Sequence, residues 1–333
     1  MKRTLARWAL DIWYKDAFLG ILLLPFAYIF SDIVRVRRLL YRKGILKSHK
    51  VSVPVVVVGN ITVGGTGKTP LTMWLAELLI EQGYQPGIIS RGYGGDASSW
   101  PVLVNAHSDV AQVGDEALLM ARQTRSPVMV GPSRVESAQK LLTESACDII
   151  LSDDGLQHYR LQRDIEIAVI DGERGFGNGY CLPAGPLREP IERLTSVDLV
   201  VVNGEKYADH EFAMHFVGDT AINLSTGVQQ SLQSFQKLNC HALAGIGNPE
   251  RFFNLLKSAG LSCTTHGFPD HYRFKADDIF FNDANPVLMT EKDAVKCTGF
   301  AGEQHWYVPI KAKPEPAFKQ QFLNLLIKRQ HDR

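Results

Sequence analysis

The sequence predicts an α/β protein in three parts. A membrane-interface helix region covers residues 1–45, a P-loop-containing parallel-sheet α/β/α core domain covers 46–220, and a smaller C-terminal α/β domain covers 221–333, with a linker near 221–240. Three observations carry this reading. The apolar run Val55-Val56-Val57-Val58 feeds a glycine-rich segment, Gly59-Asn60-Ile61-Thr62-Val63-Gly64-Gly65-Thr66-Gly67-Lys68-Thr69-Pro70. Apolar strand-like runs recur at 87–90, 127–130, 148–151, 165–170 and 197–202, with helical patterns between several of them, as at 116–124 and 134–145. Alternating strand and helix with continuously apolar strands means a parallel sheet covered on both faces. A composition break over 205–240, rich in Gln and Ser, then precedes strands near 241–244, 287–289 and 306–309 and a closing helix over 316–328.

Size and composition agree. A chain of 333 residues with 45% apolar and 21% charged residues is globular and long enough for two domains. The net charge of +1 is unevenly spread: residues 1–50 carry eleven Lys/Arg against three Asp, and the remainder carries 25 basic against 32 acidic residues. A basic arm on an acidic body suits a polyanionic surface. The five cysteines are scattered without a Cys-x-x-Cys pair, so neither a zinc site nor a disulfide framework is indicated, and a reducing setting fits.

The basic arm is also oily. Residues 17–30 are apolar or nearly so, Trp8, Trp13 and Tyr14 precede them, and Arg35, Arg37, Arg38, Arg42 and Lys43 follow. As a helix this stretch measures roughly 21 Å, short of the ~30 Å hydrocarbon core. Pro25 argues further against one straight spanning helix. A signal peptide is the mimic to weigh, but no convincing small-x-small cleavage site follows, and the downstream arginines favour retention on the cytoplasmic side. The expectation is an interfacial anchor whose oily face enters lipid while arginines meet anionic headgroups; a buried core helix is the alternative.

The segment Gly59–Pro70 carries the first chemistry. Glycines let backbone N–H groups converge on a phosphate, Lys68 reaches the β/γ-phosphates, Thr69 can hold Mg²⁺, and the helix expected over 70–82 adds its positive end. Thr62, Gly64, Gly65, Thr66, Gly67, Lys68 and Thr69 are therefore the nucleotide-binding candidates. Thr62 stands where the usual pattern has glycine, and Val63 stands where partitioning-type ATPases carry a lysine.

Ligands bind at the carboxyl ends of such strands, so polar residues there are the further candidates. The run 147–152 ends in Asp153-Asp154-Gly155, a Walker B arrangement that supports Mg²⁺; an Asp capping a turn is the bland alternative. Gly114-Asp115-Glu116 opens a helix, where the pair could cap it, divide base and metal work, or both. Arg91 in a Ser-Arg-Gly-Tyr-Gly-Gly loop, Arg134 heading a helix, and Arg188 in a proline-stiffened loop over 182–190 are candidates for a phosphate or sugar. In the second domain His271 stands beside Asp270 in a turn, and Lys292 follows a strand in a capped helix, where it meets a nucleotide or faces solvent.

Taken together, these segments resemble the tetraacyldisaccharide 4′-kinases, the lipid A kinases of Gram-negative bacteria. The oily-basic helix, Gly59–Pro70, the loop at 90–95, Gly114–Glu116, the segments at 131–134, 153–157 and 182–190, the Asp270-His271 turn and residues 290–296 span nearly the whole chain in order. Thr62 in the P-loop is expected in that family. The resemblance implies ATP-dependent phosphorylation of the 4′-hydroxyl of a tetraacylated glucosamine disaccharide 1-phosphate, with Mg²⁺, in two α/β/α domains joined by a β-linker. It implies Asp115 and His271 as the catalytic pair, Lys68 and Thr69 at phosphates and metal, Glu116, Asp153 and Asp154 near the metal, and Arg91, Arg134 and Arg188 toward substrate. It also implies a peripheral position on the cytoplasmic face of the inner membrane, its anionic surface as partner, and no nucleic acid or obligate protein partner. The rival readings are a membrane-bound P-loop ATPase switch, which Val63 disfavours, and a nucleic-acid module, which the oily character of the arm disfavours.

Overall fold

The computed structural model describes residues 9–15 and 19–332. In chain order its elements are helix α1 (Leu19–Arg42), β1 (Val55–Gly59), α2 (Lys68–Glu81), β2 (Pro86–Ser90), β3 (Val102–Val104), α3 (Asp115–Gln123), β4 (Val128–Val130), α4 (Arg134–Glu144), β5 (Ile149–Asp153), β6 (Ile165–Asp171), β7 (Leu199–Asn203) and β8 (Glu211–Val217). Then follow β9 (Thr220–Asn223), β10 (Gln229–Ser231), β11 (Asn239–Ala244), α5 (Pro249–Ser258), β12 (Ser262–Gly267), β13 (Val287–Thr290), α6 (Glu291–Cys297), β14 (His305–Val308), β15 (Lys311–Pro314) and α7 (Pro316–His331).

The first sheet has nine strands in the order β15-β8-β7-β6-β1-β5-β2-β4-β3. Its interior pairings are parallel, and antiparallel strands close both edges. Strands β1, β2, β5 and β7 are buried along their whole length, which is why they read as continuous apolar runs. One face packs against α2, α3 and α7 through Leu71, Leu75, Leu79, Leu118, Phe318 and Phe322, and the other packs against α4 through Val135, Ala138 and Leu141. Strand β1 lies between β5 and β6, which the chain reaches in opposite directions. A crevice therefore opens beyond the carboxyl end of β1, where the glycine-rich segment begins.

The second sheet has six strands in the order β10-β9-β14-β13-β11-β12. The chain crosses between the sheets twice, at Gly218-Asp219 and at Pro309-Ile310. Strands β8 and β15 pair antiparallel in the first sheet, and β9 and β14 pair antiparallel in the second, so a two-stranded ribbon joins the units. A Cβ at Gly218 would stand 2.8 Å from the Pro309 carbonyl, so the ribbon bends with its strands in close contact.

Two expectations need correction. Residues 221–240 form β9, β10 and a 3₁₀ turn (Leu232–Phe235) that buries Leu232 and Phe235; they are part of the second sheet's unit, and the crossing lies just before them. The closing helix does not belong to that unit. α7 returns with β15 to the first sheet, where Phe318, Phe322 and Leu326 are buried against the α2 side and Trp74 meets Phe318 at 5.8 Å. Apolar periodicity predicts the helix but not which sheet will cover it.

α1 is longer than the oily run and passes through Pro25 without ending. The proline forfeits one backbone bond at an exposed position. Ile21, Leu22, Phe26, Tyr28, Ile29, Ile33 and Val36 are all more than half exposed, so the apolar face extends past residue 30. Among the described residues, no helix is long and apolar enough to cross a membrane. Trp8 and the start of the oily run, Ala17 and Phe18, lie outside the described residues.

Candidate active site

The glycine-rich segment forms a turn between β1 and α2, with Gly64 and Gly67 at positive φ. Gly67 is the residue before the helix, and a Cβ there would stand 2.7 Å from Asn203 Nδ2 and 2.8 Å from Phe216. Asn203, at the end of β7, donates to the Thr66 carbonyl at 3.1 Å and so holds the turn from beneath. Thr62 is buried in an antiparallel bridge with Leu187; Val63 N–H donates to the Pro186 carbonyl (2.8 Å) and Arg188 N–H to the Ile61 carbonyl (2.6 Å). The proline-stiffened loop is thus zipped to the first half of the turn. An extended, paired backbone at position 62 has no need of glycine.

Behind the turn, Asp153 is almost fully buried and accepts hydrogen bonds from Thr69 Oγ1 and Thr72 Oγ1, each at 3.1 Å. Burial pushes its carboxyl up from the ordinary value, and the Glu116 charge adds to this. Asp154 has φ 49° and faces Lys68 Nζ (3.5 Å) and Arg188 Nη1 (3.1 Å to each oxygen). Burial opposes its ionisation, but Lys68 and Arg188 outweigh that and hold the carboxyl well below the usual range. Mg²⁺ takes few protein ligands, mostly oxygen, and completes its shell with phosphate and water. The Thr69–Asp153 oxygen pair beside the phosphate turn fits that ion. No group of three or more His, Cys, Asp or Glu side chains able to hold a metal occurs among the described residues.

Arg134 corrects an expectation. It is 3% exposed, and its guanidinium donates to the carbonyls of Gly131 (3.3 Å), Asp153 (2.9 Å) and Asp154 (3.4 Å). It braces the acidic loop from inside and is not free to reach a substrate phosphate. Arg91 is exposed, and Arg188 is partly exposed while paired to Asp154. Glu116 is held at 2.8 Å by Lys292 Nζ, which also meets Asp270 at 3.1 Å.

The two sheets meet at Asp115. This residue opens α3 after Gly114, and its Oδ1 accepts the Glu116 N–H at 2.9 Å. Across the cleft, His271 Nδ1 lies 3.0 and 3.2 Å from the two Asp115 oxygens. The Tyr93 ring stands 4.6 Å from the imidazole. Among the described residues, Asp154 and His271 are the non-glycine positions with positive φ, and backbone strain of this kind gathers at functional sites. Burial works against the Asp115 charge, but the His271 hydrogen bond and the Lys292, His271 and Lys296 charges outweigh it and hold the carboxyl well below its ordinary range. Burial likewise opposes the imidazolium, yet the Asp115 hydrogen bond wins and raises His271 above 6.5.

Known proteins resemble this chain over most of its length. The family described as Tetraacyldisaccharide-1-P 4′-kinase matches residues 19–327. The chain belongs to this family. It is 50% identical over 317 residues to the tetraacyldisaccharide 4′-kinase of Nitrosococcus oceani, covering 95% of this chain and 94% of that one. It is 45% identical over 323 residues to the namesake from Mannheimia succiniciproducens, covering 96% and 98%. A crystal structure of LpxK from Aquifex aeolicus in complex with ATP superposes with a TM-score of 0.77 at 29% identity, covering 92% of this chain and 99% of that one.

In this 4′-kinase family member further residues, without a strong local signal in the sequence, pack around the phosphate turn and the acidic loop. Gly247, from the loop before α5, approaches so closely that a Cβ there would stand 2.6 Å from Gly65 N. Arg174 Nη1 donates to the Gly247 carbonyl (2.7 Å), and Arg251 pairs with buried Asp171 (2.7 Å). Buried Glu189 accepts from Gln157 Nε2 (3.0 Å) and from Tyr159, while Gln157 also donates to the Asn60 carbonyl (2.9 Å). The adjacent Arg188-Glu189 therefore ties the acidic loop to the start of the phosphate turn. The only local signal for this was the proline spacing around Arg188.

Proposed function

We propose that this kinase transfers the γ-phosphate of ATP to the 4′-hydroxyl of a tetraacylated glucosamine disaccharide 1-phosphate at the cleft between its two sheets. The observation that carries it is the Asp115–His271 contact of 3.0 Å, made across the cleft that also contains the phosphate turn. A sugar hydroxyl is a weak nucleophile until its proton is taken as the new bond forms. His271, held by ionised Asp115, takes that proton; the hydroxyl oxygen bonds to the γ-phosphorus as the bond to ADP breaks. Lys68 lies against the transferring phosphates, and Thr69 with Asp153 would hold Mg²⁺, which neutralises charge on the phosphate oxygens. Arg188, paired to Asp154 beside the phosphate turn, and the exposed Arg91 would supply positive charge to a phosphorylated substrate. Closure of the second sheet's loop over Gly65 keeps water from the γ-phosphate.

The exposed apolar stripe of α1 supports an interfacial anchor on an anionic membrane. Trp13 Nε1 donates to the Pro183 carbonyl (3.0 Å), and Phe30 packs against Ile61, Cys181 and Leu187. The anchor is thereby docked on the loop that carries Arg188, which suits a lipid substrate whose head must reach the cleft while its chains stay in the bilayer. A peripheral place on the cytoplasmic face of the inner membrane follows from that reading.

Purified protein with Mg-ATP and lipid A disaccharide 1-phosphate in mixed micelles tests the reaction: labelled phosphate should reach the lipid. Lipid-independent ATP turnover with no labelled lipid would favour an ATPase switch instead. For the anchor, the double variant Phe26→Glu/Ile29→Glu should weaken sedimentation with anionic vesicles by about tenfold or more per side chain. Unchanged vesicle binding would remove the anchor from the account.

A further inference from the structure

We propose that Lys296 is a positioning residue for the reaction, gripping the Asp115 carboxylate from the opposite side of the cleft. The inference rests on the reading of Asp115 and His271 as the proton-taking pair. Lys296 Nζ stands 3.5 Å from Asp115 Oδ2 and 2.7 Å from Asp293 Oδ1, and its side chain is only 8% exposed. Asp115 is thus met on both sides by the second sheet's unit, by His271 and by Lys296, while its own helix supplies the Glu116 N–H.

The mount for Lys296 is rigid. Asp293 is fully buried, and its Oδ2 accepts from the Gly245 N–H and from Thr290 Oγ1, both at 2.7 Å. Thr290 ends β13 and caps α6, so the carboxylate is fixed to both a strand end and a helix start. The Phe274 ring lies 5.1 Å from the ammonium and closes its other side. Lys292, one turn earlier on α6, reaches past it to Glu116 and Asp270. The two lysines therefore point from one helix at the two adjacent carboxylates that open α3.

A buried ammonium needs a carboxylate partner, and Asp293 Oδ1 supplies a close ion pair, though neither atom has a hydrogen-bond partner, so the Asp115 carboxylate is the second charge that the ammonium faces. Asp115 belongs to the other sheet, so the second contact exists only when the units are closed. Its consequence is geometric. A carboxylate free to rotate would vary its distances to the imidazole; held at Oδ2 by Lys296 and at Oδ1 by the Glu116 N–H, it is fixed with its two oxygens 3.0 and 3.2 Å from His271 Nδ1. Small losses of alignment in such a pair are expensive for the chemical step.

The test is a double-mutant cycle on steady-state kinetics with the full-length protein. Lys296→Met should lower kcat about 10- to 100-fold, in the range seen when a supporting group is removed, with ATP affinity within threefold of wild type. Asp115→Asn should lower kcat more, and Lys296→Met added to Asp115→Asn should cost no further activity, because the lysine acts through that carboxylate. A merely structural lysine would give effects that multiply. Should Lys296→Met fail to fold, Asp293→Asn/Lys296→Met removes both buried charges while leaving an acceptor for the Gly245 N–H, and the same cycle is read on it. Wild-type kcat in the folded lysine variant, or multiplying effects, overturns the proposal. Retained turnover in Asp115→Asn itself would instead overturn the reading of the catalytic pair.

Discussion

His271→Ala should lower kcat by about 10²- to 10⁴-fold, the usual contribution of a positioned proton acceptor, while ATP affinity should stay near wild type. The separation follows from topology. The phosphate turn, Lys68 and Asp153 hang on the first sheet, whereas His271 reaches the site from a loop of the second and bonds Asp115. Removing the imidazole should leave the first sheet's phosphate turn intact and, on the proposed mechanism, remove the group that takes the hydroxyl proton. The pH profile carries the same assignment. A base must be neutral, and the Asp115 hydrogen bond raises His271 above 6.5. The kcat/KM of the wild type should therefore fall on the acid side through a pKa above the ordinary imidazole value, and not through the carboxylate range, since Asp115 is held ionised far below it. Near-normal turnover in His271→Ala, or an acid limb near 4, would break the assignment. Nucleotide binding measured by fluorescence or calorimetry on the same variant supplies the control.

The second large effect belongs to Lys68→Met, with kcat down by about 10²- to 10³-fold, the cost of removing one preorganised group from developing charge. Lys68 is the first residue of α2, its side chain is 11% exposed, and its ammonium stands 3.5 Å from Asp154. On the proposed mechanism it would neutralise β/γ-phosphate oxygens; in the structure it rests on Asp154, which also engages Arg188. Methionine keeps the length and loses the charge, so the turn, braced by Asn203 on Thr66, should keep its shape. Thermal unfolding should be little changed, and a collapse of stability together with activity would count against a direct role in transfer.

Local features were legible in the residues because they depend on local spacing. Four valines followed by glycines and Lys-Thr can only be a buried strand, a tight turn and a helix start. The β5 strand ending in Asp153 reads the same way. Thr62 stands where the usual pattern has glycine, and its backbone is paired to Leu187, a partner 125 positions away that no local pattern reveals. Arg134 reads as a substrate cation because it heads a helix after a strand; the fold instead buries it behind Asp153 and Asp154, where its Nη1 and Nη2 donate to three carbonyls. Lys292 reads equally well as a solvent residue or a ligand contact, and the structure gives it Glu116 and Asp270.

The helix at 316–331 shows the same division. Its apolar spacing predicts the element, yet the small ribbon that brings β15 back beside β8 decides that Phe318 and Phe322 are buried in the first sheet's core. By itself the sequence determined the strand–turn–helix that cradles phosphate, the acidic strand end beside it and the oily-basic arm, since backbone stereochemistry and hydrophobic periodicity act over a few residues. Only the tertiary structure decided that Asp115 meets His271 and Lys296, because side chains more than 150 residues apart come within 4 Å through sheet order and domain closure, not through any local preference.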